Sequence, residues 1–192
     1  MKTYNIRITG VMPLIMHSDD IEWADYMEAW KANPKNKKGS KAGDDRSPAF
    51  RWLGALYNDG TNVVLPAANL MRALMEGGAM VPVPGGKMGK TFKAQTQSGI
   101  LPSHTSWPLL IDGKPVSYAG LAALANELDF AVHKETALAA GFSLFVKRAK
   151  IGTSKHVRVR PLFDKWSVDC SLVVTDTQIT KEALSDIFEF AG

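Results

Sequence analysis

Alternation of apolar and polar residues is strictest between residues 143 and 175. Val157 and Val159 alternate with Arg158 and Arg160, and a second alternating run begins beyond Pro161. Successive side chains of a strand point to opposite faces, so each run has an apolar face and a polar face. The pattern predicts a hairpin over 143–160 that turns at residues 152–154, followed by a core strand. The inner face of that strand is expected to consist of Trp166, Val168, Cys170, Leu172 and Val174.

The start of the chain predicts a strand and then an aromatic helix. Apolar residues at positions 4, 6 and 8 alternate with polar ones, which indicates a half-buried strand. Asp19 and Glu22 have the spacing of a capping pair at the start of a helix. The apolar stripe of this helix consists of Trp23, Tyr26, Met27 and Trp30. Such a stripe is more typical of core or interface packing than of base stacking.

Two further helices are predicted from residues that are typical of helix ends. Residues 63–65 predict a short strand, and Pro66 is placed to open a helix that ends at residues 77–78, where two glycines stand. Thr180 is predicted to cap the last helix, which is expected to end at Gly192.

Two basic segments, at about 33–48 and 84–98, lack any apolar period and are rich in Lys, Gly and Pro. We expect both to be inserted loops, and the first to be poorly ordered until a ligand binds. Residues 121–128 predict a short helix and residues 133–136 a loop. No internal repeat is visible, so the pattern predicts a single domain over 1–192.

Composition narrows the class of protein. The chain has 192 residues, of which 45% are hydrophobic and 22% charged, which is ordinary for a globular domain. The single cysteine, Cys170, excludes an internal disulfide and lies in a core pattern. We find no membrane-spanning or secretion signal, so a cytoplasmic location and no membrane partner are expected. The net charge of +4 is modest, but the positive residues are clustered.

The clusters predict contact with the phosphates of a nucleic acid. Lysine and arginine side chains track the backbone of a single strand, and aromatic or apolar side chains stack on its bases. The candidate nucleic-acid-binding residues lie in the two loops and the hairpin. They are Lys37, Lys38, Lys41, Lys87, Lys90, Lys93, Lys147, Arg148, Lys150, Lys155, Arg158 and Arg160. A solvated charged surface is the alternative interpretation.

Catalytic chemistry has weaker candidates. Asp19 and Asp20 are paired carboxylates that could act as acid and base groups or bind a cation, although a helix cap is the more ordinary role. His156 stands beside the basic hairpin and could carry a proton in RNA cleavage. The four histidines and one cysteine lack the spacing of metal ligands. The sequence therefore predicts no metal site and no cofactor.

Three segments, taken in order, resemble a known family. They are residues 10–18 (GVMPLIMHS) after the first strand, residues 65–74 (LPAANLMRAL) and residues 158–166 (RVRPLFDKW) with the helix that follows. Together they are similar to the CRISPR-associated RAMP superfamily, in particular to the backbone subunits that coat guide RNA.

The resemblance implies an α+β fold, namely a modified ferredoxin-like domain related to RNA-recognition folds, with an antiparallel sheet and large loop and hairpin insertions. In that picture the hairpin at 143–160 is a thumb between two core strands. A domain of this family closes with a strand after its second helix. In this chain we expect an earlier segment or a neighbouring subunit to supply that strand, unless the chain is a shortened variant.

The resemblance also implies a function in antiviral defence. We expect a non-catalytic subunit of a ribonucleoprotein that binds single-stranded RNA, or DNA, and oligomerises along it with copies of itself and other CRISPR effector subunits. Two alternatives stay open at this point. One is a RAMP-like endoribonuclease that uses a metal or His156. The other is a phage structural or interaction protein that has this fold without RNA.

Overall fold

The computed structural model describes residues 1–87 and 89–191. Its strands are β1 (Lys2–Thr9), β2 (Leu14–Ile15), β3 (Val64–Pro66), β4 (Ile100–Pro102), β5 (Ser106–Pro108), β6 (Leu110–Ile111), β7 (Lys114–Pro115), β8 (Ser143–Ile151), β9 (Ser154–Phe163) and β10 (Ser167–Val174). Its α-helices are α1 (Ile21–Ala32), α2 (Ala67–Gly78), α3 (Lys93–Gly99), α4 (Tyr118–Ala122), α5 (Phe130–Ala139) and α6 (Lys181–Ala191). Two 3-10 helices span Pro34–Gly39 and Ala49–Ala55. Met88 of the second predicted loop and the helix end predicted at Gly192 lie outside the described residues.

Helices and antiparallel sheets together make the α+β class predicted from the sequence. Among the described residues, no helix combines the length and the apolar character needed to cross a membrane. Where the sequence predicted one domain, the chain divides into two compact units. The first unit comprises Met1–Ile8, Leu65–Trp107 and Val168–Gly192, and the second comprises Thr9–Val64 and Pro108–Ser167.

The first unit is built on β10, which pairs with β1 and, antiparallel, with β4. The predicted alternation is confirmed in β10, where Val168, Cys170, Leu172 and Val174 are buried and Asp169 is exposed. Burial raises the pKa of the Cys170 thiol, which is consistent with an inert core position. β1 alternates between half-buried and exposed residues, as predicted.

Helices α2 and α6 pack against each other in this unit. Pro66 is the N-cap residue of α2. The helix includes Gly77 and Gly78, and its C-cap is Ala79, one residue beyond the predicted end. Gly77 permits the close packing, because a Cβ built there would overlap the backbone oxygen of Ile187. The predicted cap of α6 is confirmed, since Thr180 Oγ1 accepts a hydrogen bond from the Ala183 amide at 3.2 Å.

The second unit contains the predicted hairpin. β8 and β9 pair antiparallel from Ser143 opposite Leu162 to Ile151 opposite Ser154, and β2 pairs with the far end of β9. Val159 and Phe163 of β9 are fully buried and form the apolar face. The hairpin is therefore anchored to the core at its base, while Lys150 and Lys155 beside the turn are exposed.

The aromatic stripe of α1 is a packing surface in this unit. Trp23, Tyr26 and Trp30 all contact the ring of Phe50, with centroid distances of 5.4 to 6.2 Å. Phe50 is fully buried. The predicted cap is wrong by one residue, because Asp20 and not Asp19 accepts the hydrogen bond from the Trp23 amide, at 3.2 Å.

Three predicted loops contain regular structure instead. The segment 33–48 includes a 3-10 helix at Pro34–Gly39, and its Asp44 and Asp45 are buried. The segment 84–98 ends in α3. The residues predicted as a loop at 133–136 lie within α5, and the helix predicted over 121–128 is shorter, ending at Ala122.

Candidate nucleic-acid interface

A buried carboxylate holds three arginines together in the second unit. Asp45 is 2% exposed, and its Oδ1 accepts a hydrogen bond from Arg158 at 3.2 Å and lies 3.4 Å from Arg51 Nη1. Its Oδ2 accepts from Arg160 Nη1 at 3.3 Å and from the Val159 amide at 3.4 Å. The three arginine side chains stay 23–33% exposed. One negative charge thus orders three positive charges at the surface, and this group is called the Asp45 cluster below.

The backbone beside β9 places Asp45 in this position. The Val157 amide donates to Gly43 O at 2.7 Å, and the Asp45 amide donates back to Val157 O at 3.0 Å, so residues 43–45 run alongside the strand. Gly43 has a φ of +73°, and a Cβ there would lie 3.0 Å from the His156 ring. Both features favour glycine. Segment 33–48 is therefore attached to the hairpin and is not a free loop.

Arg51 comes from a different element. It lies in the 3-10 helix Ala49–Ala55, between Phe50 and Trp52, which are both fully buried. Burial of these two rings fixes the backbone, and the side chain of Arg51 between them points outward to the carboxylate of Asp45. The three arginines of the Asp45 cluster are consequently attached to rigid elements, and the guanidinium positions depend little on loop motion.

The hairpin carries cations on both faces, which differs from the single cationic face predicted. Residues directly opposite each other on paired strands share a face. Lys147 lies opposite Arg158 and Phe145 opposite Arg160, so these four residues occupy one face together with the Asp45 cluster. We call it the arginine face.

The other face of the hairpin, called the lysine face, is basic towards the turn. Arg148 lies opposite Val157, and Lys150 lies opposite Lys155. Within residues 1–87 and 89–191, the lysines at 147, 150 and 155 form no ion pair with an acid. The opposed pairs Lys147–Arg158 and Lys150–Lys155 bring like charges together, which costs roughly 0.2–1 kcal/mol per pair in the absence of an anion.

Two adjoining depressions join these cations to segment 33–48. The larger, the basic depression, has a volume of about 510 Å³ and is lined by Lys31, Lys37, Ser40, Lys41, Ala42, Gly43, Arg51, His156 and Arg158. Five of these nine side chains are cationic and none is acidic. The second, of about 320 Å³, shares Lys41, Ala42, Gly43 and His156 with the first and adds Asp44, Arg46, Arg148, Lys155 and Val157. Asp44 is paired with Arg46, so a path of positive charge continues from the basic depression to Arg148 and Lys155.

Shifts in pKa and the ion pairs behind them distinguish charges that are neutralised within the protein from charges that a ligand can use. Hydrogen bonds from Arg46 lower the pKa of Asp44 to about 2, with a contact of 2.7 Å between Arg46 Nη2 and Asp44 Oδ2. This pair neutralises itself at any ordinary pH. Burial lowers the pKa of Arg160, while Asp45 acts in the opposite direction. The net charge left over on the path comes from the three arginines of the Asp45 cluster and the unpaired lysines.

The predicted binding residues are distributed over both units. Lys37, Lys41, Arg148, Lys155 and Arg158 line the two depressions. Lys147 and Lys150 are exposed on the hairpin outside these linings, and Lys38 is exposed on the same 3-10 helix as Lys37. Lys87, Lys90 and Lys93 belong to the first unit, where all three are exposed. Arg158 and Arg160 are half-buried and paired with Asp45, which corrects their predicted place on a solvated face.

The candidate catalytic residues line two cavities that share part of their lining. Asp19 and Asp20 line a cavity of about 320 Å³ together with Glu28 and the Asp45 cluster. His156 lines the basic depression, which shares Lys31, Arg51 and Arg158 with that cavity. Asp20 already caps α1. Among the described residues there is no group of three His, Cys, Asp or Glu side chains that could hold a metal ion.

Sequence reasoning missed four residues of this surface: Lys31, Asp45, Arg46 and Arg51. Asp45 is one of two adjacent acids in segment 33–48, which also contains five cations. A lone acidic pair inside such a segment is a usable signal for internal pairing. Arg51 stands between two large aromatic residues, and a charged residue in an apolar run is likewise a signal for a specific partner.

Comparisons with known proteins return no match: no family model matches the chain, and no curated protein or solved structure matches it significantly.

Proposed function

We propose that this protein is a non-catalytic subunit that binds single-stranded nucleic acid, with RNA as the expected ligand. The observation that carries the proposal is the basic depression, where five cations from four elements and a connecting segment line one surface without an acid. Phosphates are the anions that such a surface fits best, because several can be bound in succession along it. The adjoining depression on the lysine face extends the same path.

The opposed like charges of the hairpin support a polyanion in preference to a single small anion. Lys147–Arg158 and Lys150–Lys155 lie on opposite faces, so one small ion cannot contact both pairs. A strand that passes over the hairpin would contact both and relieve both repulsions.

We also propose a modified ferredoxin-like fold for the first unit, as the resemblance to the CRISPR-associated RAMP superfamily implies. Its elements follow the order β1, α2, β4, β10, α6, and β10 pairs with both β1 and β4. This agrees with three strands and two helices of that fold. On the same basis, the protein assembles along its ligand with copies of itself and other CRISPR effector subunits in the cytoplasm.

The test is a titration of the purified protein with labelled oligonucleotides, read by fluorescence anisotropy. We expect single-stranded RNA to bind, and the affinity to fall steeply between about 50 and 200 mM salt, because bound phosphates release counterions. Incubation of the same RNA with and without Mg²⁺ should leave it intact. No binding at the lower salt would overturn the proposal, and cleavage of the RNA would favour a nuclease.

A further inference from the structure

The arginine face contains an aromatic side chain that its own unit leaves uncovered. Phe145 is 39% exposed and lies directly opposite Arg160 on β9. The next pair towards the hairpin base sets Ser143 opposite Leu162, which in turn lies opposite Ile15 of β2. Ile15 is 48% exposed and Leu162 half-buried. An apolar platform of Phe145, Leu162 and Ile15 therefore borders the Asp45 cluster.

The surroundings of this platform are cationic on the side of the hairpin turn. Lys147 follows Phe145 two residues later on the same face, and Arg158 lies opposite Lys147. Directly opposed Cβ atoms are about 4.5–5.5 Å apart, so Phe145 and Arg160 leave the sheet side by side on the same face. The guanidinium of Arg160 is held by Asp45, which fixes the position of this cation on that face.

We propose that Phe145 is a base-stacking residue, which takes an unpaired base whose flanking phosphates lie on Lys147 and the Asp45 cluster. This inference rests on the proposed function and adds a specificity to it. Aromatic side chains stack on any base through its π-face, which a base inside a duplex does not offer. The platform would therefore select single strands over duplexes without selecting a sequence.

An apolar protein partner is the other occupant that an exposed phenylalanine could have. The charges favour the base, because the groups bordering Phe145 on its own face are Lys147 and Arg160, with Arg158 beyond them. Asp45 is buried beneath the arginines. Asp19, Asp20 and Glu28 line a cavity with Arg158 and Arg160, and neither Phe145 nor Lys147 belongs to its lining. A nucleotide supplies a flat apolar ring and an anion together, which matches a platform bordered by cations on one side.

The test compares Phe145→Ala with Val146→Ala on two oligonucleotides. Val146 is the matched control, since it adjoins Phe145 in the chain, is 41% exposed, and points to the opposite face. One ligand is a single-stranded RNA, and the other is the same backbone with abasic positions, which keeps the phosphates and removes the bases. A Phe145→Trp variant, which retains an aromatic face, controls for folding.

We expect Phe145→Ala to weaken binding of the intact RNA by about 5- to 150-fold, the effect of losing one stacked base. Its affinity for the abasic strand should match that of the unchanged protein, and Phe145→Trp should bind the intact RNA normally. Val146→Ala should change neither affinity.

Equal losses of affinity for both ligands in Phe145→Ala would overturn the stacking role alone. The same holds if Phe145→Ala binds the intact RNA as well as the unchanged protein does and retains its steep salt dependence. A smaller oligomer without an RNA effect would indicate a protein contact. No binding of either strand by the unchanged protein would overturn the proposed function as well.

Discussion

Replacing Asp45 by asparagine tests whether one buried carboxylate organises the arginine face. The substitution keeps the size and one oxygen acceptor but removes the negative charge. Three guanidinium groups, from Arg51, Arg158 and Arg160, would then face one another with no counterion. The Val159 amide would keep an oxygen acceptor only if the asparagine retained the same orientation.

The expected loss of stability follows from the exposure of the partners. Breaking a buried ion pair by removing one member costs about 3–5 kcal/mol, because a charge is left without compensation. Each arginine side chain here is 23–33% exposed, so its charge can recover part of its hydration. We therefore expect a loss near the lower end, about 3 kcal/mol, in the free energy of unfolding of Asp45→Asn.

The assay is urea unfolding in a chloride buffer, repeated in phosphate at equal ionic strength. Asp169→Asn is the control, because it breaks an exposed bidentate pair with Arg7 and should cost much less stability. Phosphate should restore more stability to Asp45→Asn than to the unchanged protein, since the freed arginines then bind the anion. A loss equal to that of Asp169→Asn, with no extra effect of phosphate, would refute this role of Asp45.

Two further substitutions test the packing and the electrostatics. Gly77→Ala should destabilise the protein by about 1–3 kcal/mol, because the new methyl group meets the Ile187 carbonyl, whereas Gly120→Ala in α4 has room and should be neutral or stabilising; thermal unfolding compares the two. The pKa of Asp44 lies below its usual value, so the stability it confers is complete above about pH 4 and is lost as the pH falls through about 2. Arg46→Gln should remove about 1–2 kcal/mol of that acid dependence, measured by urea unfolding at several pH values; identical pH curves would contradict the pairing.

Local patterns in the sequence predicted the elements that are determined by residues close together in the chain. The hairpin of β8 and β9, the core strand β10 and the Thr180 cap each depend on residues close together in the chain, so a one-dimensional pattern contains the information. The α+β class follows from such elements. The two basic segments were predicted to be loops because they lack any apolar period.

The errors arise where a polar residue has a distant partner. His133 was placed in a loop, yet it is fully buried in α5, where Trp52 Nε1 donates to its Nδ1 at 3.1 Å. That donation leaves the proton on Nε2, which donates to the Glu127 carbonyl at 2.9 Å. The hydrogen-bond partners of the two ring nitrogens lie 81 and 6 residues away in the sequence, and no local pattern indicates either partner. Asp45 is the same case, with two partners more than a hundred residues distant.

The arginines of the hairpin are poor choices for a substitution that tests binding. Removing Arg158 and Arg160 would take two of its three arginine partners from Asp45 and disturb the site, so a lost affinity would be ambiguous. The exposed lysines of the hairpin have no acidic partner in the described part of the chain. Their removal leaves the Asp45 cluster intact.

The most direct test of a phosphate-binding hairpin is the salt dependence of single-stranded RNA binding. One triple alanine variant removes the hairpin lysines Lys147, Lys150 and Lys155. A matched variant removes three exposed lysines of the same unit outside the hairpin, Lys114, Lys134 and Lys165. Each phosphate contact contributes about 0.7 to the slope of log affinity against log salt, so the hairpin variant should flatten the slope by about 2 while the matched variant leaves it unchanged. Equal slopes in both variants, with both proteins folded, would contradict the claim that this hairpin contacts the nucleic acid.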